Sequence, residues 1–130
     1  MPKLTLTIPP DPFAVCRLSP DADIPAWTQN EEFYSITRSK DELSIVCMSK
    51  AVPENIRAEC DWSALKVRGP LDFSLTGILA AIINPLSEAK IPIFAISTYD
   101  TDYVFVREDS LSQVVAILSG EGYSIDQPAR

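Results

Sequence analysis

Six apolar residues, Leu75, Ile78, Leu79, Ile82, Ile83 and Leu86, recur at i, i+3, i+4, i+7, i+8 and i+11. That spacing lays one apolar stripe along a helix, predicted over 74–89, and such a stripe must be buried against another layer. The flanking sequence supplies that layer. Ala64-Leu65-Lys66-Val67-Arg68 alternates with period two and ends at Gly69-Pro70, which marks a half-buried strand. Residues 91–97 read as a largely apolar strand with Pro92 at its first ladder position, Thr98-Tyr99-Asp100-Thr101 as a turn, and 102–107 as a β-branched and aromatic strand. Strand, short turn and strand make an antiparallel hairpin. A second stripe, Leu111, Val114, Val115 and Leu118, follows a capping-box pattern at Ser110-x-x-Gln113 and stops at Gly120-Glu121-Gly122, before a last short strand at 123–125. The order over 62–126 is β-α-β-β-α-β, an α+β ferredoxin-like unit with two helices on one sheet face and the other face bare. Asp72 or Ser74 is expected to cap the first helix, and Pro85 to kink or break it before one more turn through Ala89.

The first half reads differently. Strands are expected at 4–8, 13–18, 33–38 and 43–48, the last two joined by the turn Ser39-Lys40-Asp41-Glu42. Between them, residues 19–32 are polar and punctuated by proline. Hairpins at 33–48 and 91–107 lie about 60 residues apart, which points to a degenerate internal duplication. Residues 20–30 are too short and polar to match the helix at 74–89, so the first copy has lost or shrunk it. The expected division is a strand-rich half, 1–60, and a complete βαββαβ half, 61–130, in a chain whose 130 residues suit one domain or two small halves.

Composition narrows the function. Eleven Lys+Arg against eighteen Asp+Glu gives a net charge of −7 without a basic cluster, so neither nucleic acid nor an anionic membrane is an expected partner. The longest apolar run is six residues, 78–83, far short of the roughly 18 a membrane span needs. Residues 1–8 alternate polar and apolar instead of forming a secretory signal, and a cytoplasmic setting is expected. There is no histidine, which excludes imidazole-dependent triads and His-ligated zinc or haem. Cys16, Cys47 and Cys60 are odd in number and without a CxxC pair, so no disulfide framework or zinc site is expected, and all three read as buried small hydrophobes.

The candidate functional residues gather at a strand-to-helix junction and a turn. Gly69-Pro70-Leu71-Asp72-Phe73-Ser74 leads into a helix start, where backbone N–H groups without intrahelical partners suit a carboxylate, although any helix start offers the same groups. Asp72, Asp100 and Asp102 can hold an ammonium group if the turn lies near that junction. Asp100 reads equally as turn chemistry, and a carboxylate trio alone makes a poor metal cage. Gly77 sits inside the helical stripe at a cost of about 1 kcal/mol against alanine, so it serves either a ligand's close approach or tight helix-on-sheet packing. Trp27 and Trp62 read as anchors of satellite clusters, with an exposed Trp27 as a surface alternative.

Gly69-x₇-Gly77-Ile78-Leu79 followed by Leu86-Ser87-Glu88-Ala89-Lys90-Ile91-Pro92-Ile93 resembles the signature of the ACT domain, a small-molecule-binding regulatory module. Tyr34-Ser35-Ile36-Thr37, Glu42–Cys47 and Ser97-Thr98-Tyr99-Asp100-Thr101-Asp102 extend the resemblance to short bacterial proteins built from two ACT-like halves, and the glycine-helix and Ser-Thr-Tyr-Asp stretches are similar to the ACT domains of the animal cytosolic arginine sensor. The resemblance implies a non-catalytic module that binds an amino acid or similar small zwitterion at a domain or subunit interface. Carried onto this sequence, the matching positions are Leu71, Asp72, Phe73, Ser74, Thr76, Gly77 and Ile78, with Ile96, Ser97, Thr98, Asp100 and Asp102 opposite. No cofactor and no metal are implied, and a homodimer is expected because strand edges and the bare face want cover. The alternatives are a structural protein–protein interaction module without a ligand, and a small acid–base enzyme using Asp72, Asp100 and Asp102.

Overall fold

Period-two alternation becomes strand wherever both faces of the alternation find a use. The computed structural model describes residues 4–28, 32–68 and 77–127, and eight strands lie among them. The chain divides into two compact units, Asp11–Trp62 and the pair of segments Met1–Pro10 with Ser63–Arg130.

In the unit Asp11–Trp62, strands β2 (Phe13–Leu18), β3 (Ser35–Arg38) and β4 (Leu43–Met48) join the first half of β5 (Ala58–Val67) in the order β3-β4-β2-β5. β2 and β4 pair antiparallel with Ala14 opposite Cys47, Cys16 opposite Ile45 and Leu18 opposite Leu43. Alternate residues therefore share a face, and Ala14, Cys16, Leu43, Ile45 and Cys47 form a buried core. Trp27 packs against this cluster as an anchor. Where helices were absent from the sequence pattern, single 3₁₀ turns stand at Ala26–Thr28 and Ser49–Ala51. The polar stretch before β3 is tied down by Arg38, whose guanidinium donates to the carbonyls of Pro20 and, at 2.7 Å, Ala22.

The second unit holds β1 (Thr5–Thr7), the last half of β5, α1 (Ile78–Glu88), β6 (Ile93–Ser97), β7 (Asp102–Arg107), α2 (Leu111–Gly120) and β8 (Ser124–Asp126). Its strand order is β6-β7-β5-β1-β8. β1 enters between two strands that a plain βαββαβ sheet would leave adjacent, antiparallel to β5 with Leu6 opposite Val67 and parallel to β8 with Leu6 opposite Ile125. Leu6, Ile8, Leu65, Val67, Val104 and Val106 from the sheet meet Ile82, Leu86, Leu111, Val114 and Leu118 from the helices in one buried cluster, each side chain contributing about 1.5–3 kcal/mol. No helix among the described residues is long and apolar enough to cross a membrane.

Several expectations need correction. β5 begins at Ala58, six residues before the alternation read at Ala64. Its early part is hidden by a bulge: Phe13 pairs with Trp62 but Val15 with Glu59, so β5 spends one extra residue there, with Asp61 at φ 67°. Cys60, next to it, is exposed, not buried. Partial desolvation and then the charges of Asp61, Cys16 and Glu59 push its thiol up, away from the reactive thiolate. α1 passes through Pro85 unbroken to Glu88. The proline forfeits only its own donor, while its carbonyl still accepts from the Ala89 amide at 3.3 Å. Ser110 makes no side-chain cap, because the 3₁₀ turn Glu108–Ser110 runs straight into α2 and leaves Ser110 in a helical conformation, where a capping residue needs an extended one.

Both helices end in the same closure. Gly122 takes φ 100°, its amide donating to Ser119 at 3.0 Å and that of Tyr123 to Leu118 at 3.1 Å. At the end of α1, Lys90 donates to Ser87 at 2.9 Å and Ile91 to Leu86 at 3.0 Å, with Lys90 itself at φ 62°. Glycine is the natural residue at that left-handed position, and a side chain there costs about 1–2 kcal/mol. Lys90→Gly is expected to raise unfolding stability by about 0.5–1 kcal/mol after the entropy of a freer unfolded chain is deducted, read as a higher urea midpoint at unchanged slope.

Candidate functional site

The turn before β7 is held by a hydroxyl that the sequence reading did not single out. Thr101, 6% exposed, sits at the end of the turn before β7 and donates from Oγ1 to the carbonyl of Val67 at 2.5 Å. Val67 closes β5. The turn is thereby fixed to the end of the sheet from which the chain departs toward α1. Within the turn, the Thr98 amide donates to the Thr101 carbonyl at 2.8 Å, and Thr98 Oγ1 accepts from the Thr101 amide at 3.2 Å. The local acceptor role expected of Asp100 is filled by Thr98.

Of the residues singled out in the sequence, Leu71, Asp72, Phe73, Ser74 and Thr76 lie outside the described residues, as do the expected caps and the stripe's first member, Leu75. Gly77 does not occupy the first helical turn. It precedes α1 at φ 74°, a left-handed turn glycine adopts without strain, and among the described residues a Cβ placed on it would meet nothing within 4 Å. The first intrahelical bond runs from the Ala81 amide to the Gly77 carbonyl at 2.9 Å, so the N–H groups of Ile78, Leu79 and Ala80 have no partner inside the helix. Ile78 is half-buried against the helix–sheet core.

On the hairpin, Ile96 is half-buried, Ser97, Thr98 and Asp100 are exposed, and Asp102 is intermediate. Ser97 and Asp102 face each other across the ladder, and Ser97 Oγ donates to Asp102 Oδ1 at 2.5 Å. One carboxylate oxygen of Asp102 is thus engaged within the hairpin. Beside them, Tyr103 stacks on Phe105 with centroids 6.4 Å apart, and Lys66 Nζ stands 5.8 Å from the Tyr103 ring. Among the described residues no group of three acidic or thiol side chains is placed to hold a metal ion.

The sequence model of the ACT domain matches residues 57–120, and a second model, of another family's N-terminal domain, matches 11–55. This chain belongs to the ACT-domain family. The crystal structure of a protein from Agrobacterium tumefaciens is 38% identical with a TM-score of 0.93, covering 100% of this ACT protein and 97% of its own chain. The bovine cytosolic arginine sensor for mTORC1, subunit 1, is 29% identical over 101 residues, which are 69% of this chain and 31% of that protein. The chain thus spans under a third of that relative. The ligand-free regulatory subunit of aspartate kinase from Thermus thermophilus shares the fold, at 10% identity and a TM-score of 0.60 over 87% of this chain and 95% of that one. The fold is the ferredoxin-like ACT fold, and it resembles amino-acid-sensing regulatory domains.

Proposed function

We propose that this ACT protein is a non-catalytic regulatory module that binds a free amino acid or similar small zwitterion, with Leu71, Asp72, Phe73, Ser74, Thr76, Gly77 and Ile78 on one side and Ile96, Ser97, Thr98, Asp100 and Asp102 on the other. The observation that supports it most is the Thr101–Val67 hydrogen bond, since it draws the turn to the sheet end that feeds α1. The ligand carboxylate takes the N–H groups of Ile78, Leu79 and Ala80 at the positive end of α1. Its ammonium takes Asp100 and the Asp102 oxygen that Ser97 leaves open. Both charges of the ligand are then met without a cofactor or metal.

The module is cytoplasmic and works as a homodimer, with the ligand at a domain or subunit interface. Within the reduced first half, 1–60, of a duplicated chain, the unit Asp11–Trp62 has the order β3-β4-β2-β5, which matches the β6-β7-β5-β8 order of the complete ACT domain at 61–130 once the inserted β1 is set aside. A ligand that binds an interface stabilises it by linkage, so binding biases association. Thermal shift of the whole chain against the twenty standard amino acids tests this. One of them, at about 100 times its Kd, adds about 2.7 kcal/mol of stability, and Asp102→Asn removes most of that gain. Silence across the panel overturns sensing and leaves the structural interaction module.

A further inference from the structure

We infer that, within the amino-acid site proposed above and resting on that reading, Ala95 sets which ligand side chain is accepted, and that the accepted class is aliphatic. In the β6–β7 ladder Ser97 pairs with Asp102, Ala95 with Val104 and Ile93 with Val106. Residues directly opposed, and residues two apart on one strand, share a face of a sheet, so these three pairs lie on the same face. Val104 and Val106 are buried there together with Ile82 and Leu86 of α1, which makes it the face the helices cover. Ile96 and its partner Tyr103 stand on the other face. The side chain that follows Ser97 along the face of Asp102 is therefore that of Ala95.

The helix cover stops short of this corner of the sheet. Ala95 and Ser97 are exposed, whereas Ile93, one step further along the same face, is half-buried and packed against the helix–sheet core. An open strip thus runs from the Ser97–Asp102 pair, with the Ala95 methyl as its floor and Ile93 at its end. Two residues span about 7 Å of strand, so an amino acid whose ammonium meets Asp102 reaches Ala95 with its side chain. Ala95, Ile93 and Val104 offer that side chain neither a charge nor a hydrogen-bonding group. An aliphatic chain gains by covering them, while a guanidinium or a second carboxylate would give up hydration there without a protein partner in return.

The test follows the thermal midpoint of the whole chain against concentration for each of the twenty standard amino acids. Leucine, isoleucine, valine or methionine is expected to head the order, at least about ten-fold tighter than arginine and glutamate. Ala95→Glu puts a carboxylate on the strip and is expected to reverse the order of leucine and arginine, a change of preference that a loss of folding cannot imitate. Ala95→Phe fills the strip and is expected to weaken leucine by about ten-fold or more relative to glycine. The position is an exposed one on an edge strand, and the ligand-free midpoint reports folding separately from the ligand-dependent rise. If no amino acid raises the midpoint, the amino-acid reading itself falls and the aliphatic preference with it. If one binds but arginine or glutamate outranks the aliphatic four, or if both variants keep the parent's order, the aliphatic preference alone is overturned.

Discussion

Phe105→Ala is expected to lower unfolding stability by about 3–5 kcal/mol, at least about a fifth of what a domain of this size possesses. Phe105 is fully buried on β7. Its ring stacks on Phe94 at 4.5 Å with planes 6° apart and neighbours Tyr103. Truncation removes the transfer free energy of the ring and leaves a cavity that two strands of fixed register cannot close. Phe105→Leu fills most of that volume and is expected to lose far less. Urea unfolding of the two variants side by side measures the difference, and an alanine variant within about 1 kcal/mol of the parent would show that this face of the sheet repacks freely.

Thr101→Val carries the second large effect, about 1–3 kcal/mol, because it swaps a buried donor for a methyl group of similar shape and strands the Val67 carbonyl. Thr101→Ser keeps the hydroxyl and is expected to recover most of the loss. The informative quantity is the ligand response. With the turn no longer fixed to the end of β5, the amino acid that stabilises the parent is expected to stabilise the valine variant less, beyond the shared stability change, and the serine variant nearly as well. A thermal midpoint series against ligand concentration separates the two effects, since intrinsic stability moves the ligand-free value and affinity moves the slope.

Much of the fold was legible because periodicity and burial agree. β2, β4 and β7 occupy the residues predicted for them, and Leu111, Val114 and Leu118 are the buried side of α2 as their spacing required. Legibility failed where the backbone leaves regular geometry. The bulge at Asp61 breaks the alternation of β5, so its first half carried no two-residue period. Lys90 occupies a left-handed position with a residue that gives no hint of one. The turn's decisive contact comes from Thr101, whose partner is 34 positions away, and a local reading of Thr-Tyr-Asp-Thr favoured the aspartate. Gly77 stands before α1 at φ 74°, a left-handed turn that the helical reading of its position did not anticipate.

The insertion of β1 between β5 and β8 governs how this chain emerges from synthesis. Leu6 and its neighbours are made long before their partners, because β1 pairs along one side with residues 124–126, 119 positions later in the chain. While the intervening chain is being made, this strand and its buried Leu6 wait without their final neighbour, a hazard that falls on slowly assembled long-range sheets. Its brevity, three residues with threonine at both ends, keeps that nascent segment from becoming an adhesive one.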